Sequence, residues 1–299
     1  RNTLKALSGT TAASIVGYGQ WSDVVCVSEI GKPLYNFYGY VVDGVYESLE
    51  DIENSPKTAK HPENGVYNRS NTVWVGDLKY KDINQDGVIN DQDRTDIGSP
   101  LPLFTFGWNN TFRYKGFDLN IFLNGSYGNK VLNYSLMNGP SGGLASMRSA
   151  WVNQNASAIK DRAQLVPIDP DKVYESGSWF DDITNVKVEN SGTKTPRPTL
   201  SDPNDNDRLS TRYIEDGSYL RIKNITLGYT FPKKWMQKAH FDNIRVYCNI
   251  QNLYTFTKYS GYDPEVGAST QDSSGYAYGV DNGRYPSPTT YSFGVSLTF

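Results

Sequence analysis

From Tyr291 to Phe299 the chain alternates without a break. Tyr291, Phe293, Val295, Leu297 and Phe299 are apolar, and Ser292, Gly294, Ser296 and Thr298 between them are small and polar. A period of two places the two sets on opposite faces of a strand. The pattern recurs four times. Phe104, Phe106, Trp108, Phe112 and Tyr114 alternate with Thr105, Gly107, Asn109, Thr111 and Arg113, while Asn110 interrupts the apolar face. After Lys115-Gly116, Phe117, Leu119, Ile121 and Leu123 alternate with Asp118, Asn120, Phe122 and Asn124, which predicts an antiparallel hairpin. Between Tyr219 and Phe231, Ile225, Leu227, Tyr229 and Phe231 face one way, and Asn224, Thr226, Gly228 and Thr230 face the other. Pro232 then ends pairing. A further strand is predicted from Ile244 to about Thr255.

These strands run to roughly nine to thirteen residues, the length of a tilted membrane-spanning strand rather than a soluble one. Tyr114, Phe117, Tyr229, Phe231, Tyr254 and Phe256 gather near strand ends, where interfacial aromatic girdles lie. The polar face carries Asn, Ser, Gly and Thr, whereas the outer face of a soluble sandwich would carry more charge. Connections alternate between short and long, and roughly 90 residues separate the second strand from the third, which is rare in a compact soluble domain. The expectation is an all-β chain forming part of a transmembrane barrel, the terminal strand closing it on Phe299. If that end is periplasmic, residues 257–288, 127–218 and everything before residue 102 lie outside the cell. The domain reading is therefore an extracellular loop region over 1–102, and barrel strands with extracellular loops over 103–299.

Composition agrees with strands and turns: aromatics are 13%, with 22 Tyr, and Gly, Asn and Asp are abundant. A net charge of -3 without a Lys/Arg run gives no reason to expect nucleic acid. No stretch of apolar residues is long enough for a membrane helix. A mean hydropathy of -0.57 does not argue against a barrel, because alternating strands cancel in the sum. Cys26 and Cys248 are too few and too far apart for a disulfide framework, and Cys248 shares the apolar face of Ile244, Val246 and Ile250. The chain starts at Arg1 in sequence that reads like the middle of a protein, so a fragment of a longer chain is expected.

One segment carries metal chemistry. Asp82 to Asp93 fits a twelve-residue EF-type loop. Asp82, Asn84 and Asp86 occupy positions one, three and five, where side-chain oxygens suit a hard cation. Gly87 stands where the chain turns sharply, Val88 would offer its carbonyl, Asn90 would act through water, and Asp93 would close the loop. Ile89 is the apolar anchor between ligands. Asp93 replaces the usual glutamate and shortens the closing arm, and no clear amphipathic helix flanks the loop. The expectation is a structural Ca2+ site, not a switch.

Other clusters carry less. Asp202, Asn204, Asp205, Asn206 and Asp207 lack the glycine and spacing of a metal loop and are expected to be a solvated loop. Asp181-Asp182 is expected to be a turn rather than an acid/base pair. His61 and His240 stand alone, without metal-ligand spacing. Trp74, Trp151, Trp179, Tyr276 and Tyr278 would either stack on a ligand or pack the loops from within. No hydrolase or zinc motif is present, so enzymatic activity is not expected.

Four blocks carry a family resemblance: GKPLYNFYGYVVDGVYES from Gly31, GDLKYKDINQDGVINDQDRTDIGSPLPLFTFGWNNTFRYKGFDLNIFL from Gly76, YIEDGSYLRIKNITLGYTFP from Tyr213, and RVYCNIQNLYTFTKYSGYDPE from Arg245. With the closing SFGVSLTF they resemble the C-terminal part of SusC/RagA-type TonB-linked outer-membrane transporters, from about Gly31 to Phe299. The resemblance implies a barrel of about 22 strands filled by a plug. It also implies a TonB contact made by sequence absent here, a SusD-like surface lipoprotein acting as a lid, and a possible dimer of the complex. The function implied is import of glycans or oligopeptides without covalent chemistry, and the family's own acidic loop matches Asp82–Asp93. The runner-up reading is a secreted calcium-binding β-sandwich, an adhesin or glycan-binding module.

Overall fold

The computed structural model describes residues 3–7, 14–18, 24–138, 161–199, 201–238, 241–267 and 277–299. The chain divides into two compact units. One comprises Leu101–Lys130, Asp216–Glu265 and Arg284–Phe299; the other comprises Arg1–Pro100, Val131–Glu215 and Val266–Gly283.

The first unit is a single antiparallel sheet whose five strands are β1 (Phe104–Tyr114), β2 (Phe117–Tyr127), β3 (Tyr219–Thr230), β4 (Asn243–Thr257) and β5 (Thr290–Thr298). They lie side by side in chain order, an up-and-down meander with β1 and β5 at its edges. All five predicted strands are present. β1 and β2 pair in full register from Phe104 opposite Tyr127 to Tyr114 opposite Phe117. Lys115 (φ 47°) and Gly116 (φ 90°) make the two-residue turn between them. Positive φ at both turn residues matches the twist of the flanking strands.

Alternation sorts the residues as expected over most of the sheet. Leu119, Leu227, Cys248 and Phe293 form one apolar row across four strands, and Ile121, Ile225, Ile250 and Tyr291 form the next. Strict alternation fails at one row. From Leu123 to Ile121 β2 advances two positions; β3 takes three, from Ile222 to Ile225, and β4 takes four, from Tyr254 to Ile250. Asn252, at φ 51°, sits in the bulge of β4. Extra residues of this kind bend the strand and sharpen its twist. In β3 the bulge flips the parity, so Leu220 and Ile222 join the apolar face while Tyr219 and Arg221 turn to the polar one.

The second unit folds around buried apolar residues. A four-stranded antiparallel sheet is formed by Ser14–Tyr18, Val24–Glu29, Asn36–Gly39 and Thr95–Gly98. Val42–Val45 pairs with Leu78–Tyr80, and Leu165–Pro167 pairs with Val186–Val188. A short helix, Leu49–Glu53, starts at Ser48, whose side chain accepts from the Asp51 amide and so satisfies a free helix donor. Tyr46, Ile52, Trp74, Leu78, Tyr80 and Val186 form one core; Phe37, Leu132, Tyr134 and Tyr213 belong to another. Segments from both sides of residue 102 thus share one unit.

Candidate functional site

The acidic loop is built from Asx turns. The two carboxylate oxygens of Asp82 accept from the amides of Gln85 at 2.7 Å and Gly87 at 2.8 Å. Asn84 accepts from the Asp86 amide at 3.1 Å, and Asp86 from the Val88 amide at 2.9 Å. Gly87 has φ 83°, a conformation costly for any residue with a Cβ. Ile89 is buried, and its amide and the Gly87 carbonyl bond Lys57, tying the loop to the rest of its unit. Asn90 caps the turn Asp91–Asp93 in a reciprocal capping box with Asp93. Asp93 is fully buried and accepts from the amides of Ile83 and Asn90 at 2.9 and 2.8 Å.

The geometry therefore places the six predicted ligands in one closed loop. It does not gather three carboxylates into a metal cluster among the described residues. Asp86 is exposed, Asp82 is half-buried and Asp93 is buried. The Asn84 amide nitrogen donates to Asp86 at 3.0 Å and Gln92 at 3.2 Å, so it would turn to offer oxygen to a cation. Each carboxylate oxygen keeps a second lone pair for such a role.

The segment after Pro198 corrects an expectation. Asp202, Asn204 and Asn206 are buried, not solvated. Asn206 accepts from the Leu78 amide at 2.7 Å and donates to Asp202 at 2.6 Å, while Asn204 donates to the Leu78 carbonyl at 2.9 Å. Asp77, fully buried, stands 2.8 Å from the Arg197 guanidinium and accepts from the Trp74 amide. The amides supply partners that water would otherwise provide, which is what permits polar groups inside a core. Asp182 does cap a turn: its side chain takes Lys172, Thr184 and Tyr174, with Lys172 at 2.6 Å. Trp74 is buried, Trp179 packs against the same core, and Tyr278 stacks on Tyr35 at 5.8 Å. His61 meets Tyr67 edge-on. Trp151, His240 and Tyr276 lie outside the described residues. Cys26 and Cys248 are not joined.

On the sheet, the two faces differ in chemistry. One presents Trp108, Phe112, Leu227, Tyr254, Phe293 and Val295, each about half exposed or more. The other is hydrogen-bonded: Asn120 donates to Asn109 and Thr111, and Thr226 to Asn249. Arg245 and Asp118 pair across β3 at 2.6 Å. They meet over Gly228, where an added Cβ would collide with the guanidinium and both carboxylate oxygens.

Arg221 is a buried charged side chain that alternation missed. Its guanidinium is nearly fully buried on the polar face and contacts Thr255, Asp263 and Glu265. A signal existed. Counting back by twos from Tyr229 through Leu227 and Ile225 puts Arg221 on the apolar face, and a charge there implies a bulge.

No family model matches the chain. It is similar to TonB-dependent receptor P3 of Formosa agariphila, 31% identical over 274 residues, covering 90% of this chain and 22% of the relative. It is also similar to TonB-dependent receptor SusC of Bacteroides thetaiotaomicron, 26% identical over 223 residues, covering 74% of this chain and 17% of the relative. Among solved structures it resembles the RagAB peptide transporter with TM-score 0.55 and 20% identity, over 92% of this chain and 24% of that one. The RagAB peptide importer in the 'closed-closed' state gives TM-score 0.56 at 18% identity, over 97% and 25%. The chain spans under a quarter of the length of the curated relatives named.

Proposed function

Because the chain belongs to the SusC/RagA-type family of TonB-linked outer-membrane proteins and corresponds to their C-terminal part, we propose that it supplies closing strands and outer loops of a nutrient importer. The observation that carries this reading is the inverted sheet, apolar outside and hydrogen-bonded on the other face. An eleven-residue strand is about 36 Å long at ~3.3 Å per residue. A tilt of about 45° brings it to roughly the 25 Å height of a barrel's apolar band. Unpaired edges are not tolerated in lipid, so β1 and the outer side of β5 call for further strands; the family resemblance implies a plugged barrel of about 22.

In this reading the apolar rows face lipid, Asn, Thr and the Asp118–Arg245 pair face the lumen or plug, and the loops lie outside the cell. A SusD-like lipoprotein closes over them as a lid, solute is caught between lid and barrel, and TonB draws on the plug. The complex would pair as a dimer. The family is one of receptors and transporters, not enzymes, and no covalent step is involved. Glycans and oligopeptides are the two candidate cargoes. Peptides come first for testing, because the solved neighbours are a peptide transporter and a peptide importer. The test is fractionation and uptake. The protein should partition into outer membranes, need detergent for monodispersity, copurify with a SusD-like lipoprotein, and restore growth on peptides or glycans to a deletion strain. A monodisperse, detergent-free protein would identify it instead as a secreted β module and end the barrel reading.

The Asp82–Asp93 loop is assigned to structural Ca2+, held by Asp82, Asn84, Asp86, Asp93, the Val88 carbonyl and Asn90 through water. Supporting this are the spacing of the oxygen-bearing side chains, the sharp turn at Gly87 and the buried anchor Ile89. A short Asp93 arm would make the site weak, yet extracellular modules fill at about 10⁻⁴–10⁻³ M. Calcium should raise the melting temperature of the loop-bearing unit relative to chelator, since a ligand of the native state stabilises it. Asp82→Ala and Asp86→Ala should lose that response. An identical melt with calcium and chelator would remove the assignment.

A further inference from the structure

The bulge on β3 and β4 does more than bend the sheet. It turns Arg221 to the polar face, where the side chain is 2% exposed. A guanidinium cannot shed its proton, so burial requires partners for its donors. Arg221 has them on every nitrogen. Nε donates to Thr255 Oγ1 at 2.8 Å, Nη1 to Glu265 Oε2 at 2.7 Å, and Nη2 to Asp263 Oδ1 at 2.5 Å. The two carboxylates lie beyond β4, on the limb that leaves it. Asp263 also accepts from the Ser287 amide at 3.3 Å, and Ser287 lies on the limb that returns to β5. The bulge residue Asn252 grips the same limb: its side chain donates to the Pro288 carbonyl at 3.1 Å, and its carbonyl accepts from Thr289.

We propose that Arg221 is a positioning residue, a latch that holds both limbs of the last loop to the polar wall of the sheet. This rests on the importer reading for its place at the barrel mouth. The latch joins one buried cation to two loop carboxylates, and through Asp263 it reaches the returning limb as well. Asp263 is nearly buried and Glu265 half exposed, so Asp263 is the stronger hold. Both limbs carry a bare ring, Tyr262 at 75% and Tyr285 at 84% exposure, and the latch sets where those rings stand.

The test is amide hydrogen exchange across 258–265 and 284–289 in the full-length protein in detergent, with barrel integrity followed by heat-modifiable electrophoresis. Arg221→Met should speed exchange at Glu265 and Ser287 by about tenfold or more while the barrel stays folded, because removing one partner strands buried charge. Asp263→Asn should do nearly the same. The double variant should add little to either single one, as expected of residues sharing one interaction. Arg221→Lys should restore part of the protection, since a point charge reaches fewer of the partners. Unchanged exchange in both single variants with an intact barrel overturns the latch. If Arg221→Met fails to assemble, Asp263→Asn decides alone, because Asp263 lies outside the strands. Exchange is measured without cargo. The latch can therefore fail while uptake stands, and absent uptake would sink the importer reading without touching the latch.

Discussion

Trp74 and Trp108 are the same side chain set in opposite solvents. Trp74 is 0% exposed in the core of the loop-bearing unit; Trp108 is 57% exposed on the open face of the sheet. The contrast holds for whole units. Tyr46, Tyr80 and Tyr213 are buried in one, whereas Phe104, Tyr254 and Phe293 stand out from the other. Soluble proteins do not leave contiguous apolar faces of that size uncovered. The loop-bearing unit therefore folds as water-soluble proteins do, by hiding its large apolar groups. The sheet is stabilised by its hydrogen-bond ladder and polar face, and its apolar face awaits lipid.

The sharpest break of this comparison is Trp74→Ala. Truncating a fully buried aromatic should cost about 3–5 kcal/mol. We expect loss of protease resistance in the loop-bearing unit while heat modifiability of the barrel persists. The same change at Trp108 should leave that unit's resistance unaltered. Next in size is Leu227→Arg. A cation on a lipid-facing midplane position should cost roughly 2–4 kcal/mol of barrel stability in bilayers. Ser292→Lys, on the opposite face, should cost much less. Equal losses at both positions would mean that the apolar face is not a lipid face. Gly228→Ala probes the polar face alone. Its methyl would enter the Asp118–Arg245 contact, and overpacking of this kind costs about 1–3 kcal/mol. The measurement is denaturant unfolding of the reconstituted barrel.

Much of the sheet was legible because a period of two is a local signal. The five strands, the Lys115-Gly116 turn and the opposite chemistry of the two faces follow from spacing alone. The bulge left only one mark in the alternation, the charge of Arg221 on the apolar phase, and its place in the sheet depends on how three neighbouring strands share curvature. The burial of Asp202, Asn204 and Asn206 was missed for a different reason. Composition marks such a run as solvated, but its partners are the Leu78 amide and carbonyl, more than a hundred residues away. The acidic loop was legible as a turn, since Asx turns and the Asn90–Asp93 capping box are sequence-local. What it binds is decided by ligand oxygens coming together, which spacing only permits.

The smallest effect is the most informative about water-exposed charge in the loop-bearing unit. The carboxyl of Asp182 is held at about 2, below the usual carboxylate range, first by the hydrogen bond from Lys172 and then by Thr184. An unfolded Asp titrates near 3.9, so the folded state binds fewer protons between the two values. The stabilisation is therefore fully present above about pH 4 and is lost as the pH falls toward 2. Lys172 is 43% exposed, so solvent screens the pair and its contribution is small. Melting curves of the loop-bearing unit between pH 5 and pH 2 should show a shallow decline, and Asp182→Asn should flatten its share of it. Asp182 lies in the loop-bearing unit and not in the sheet, so Asp182→Asn should leave the heat modifiability of the barrel unchanged. If Asp182→Asn shifted the pH response of both units together, the separation between a water-adapted unit and a lipid-adapted one would not hold.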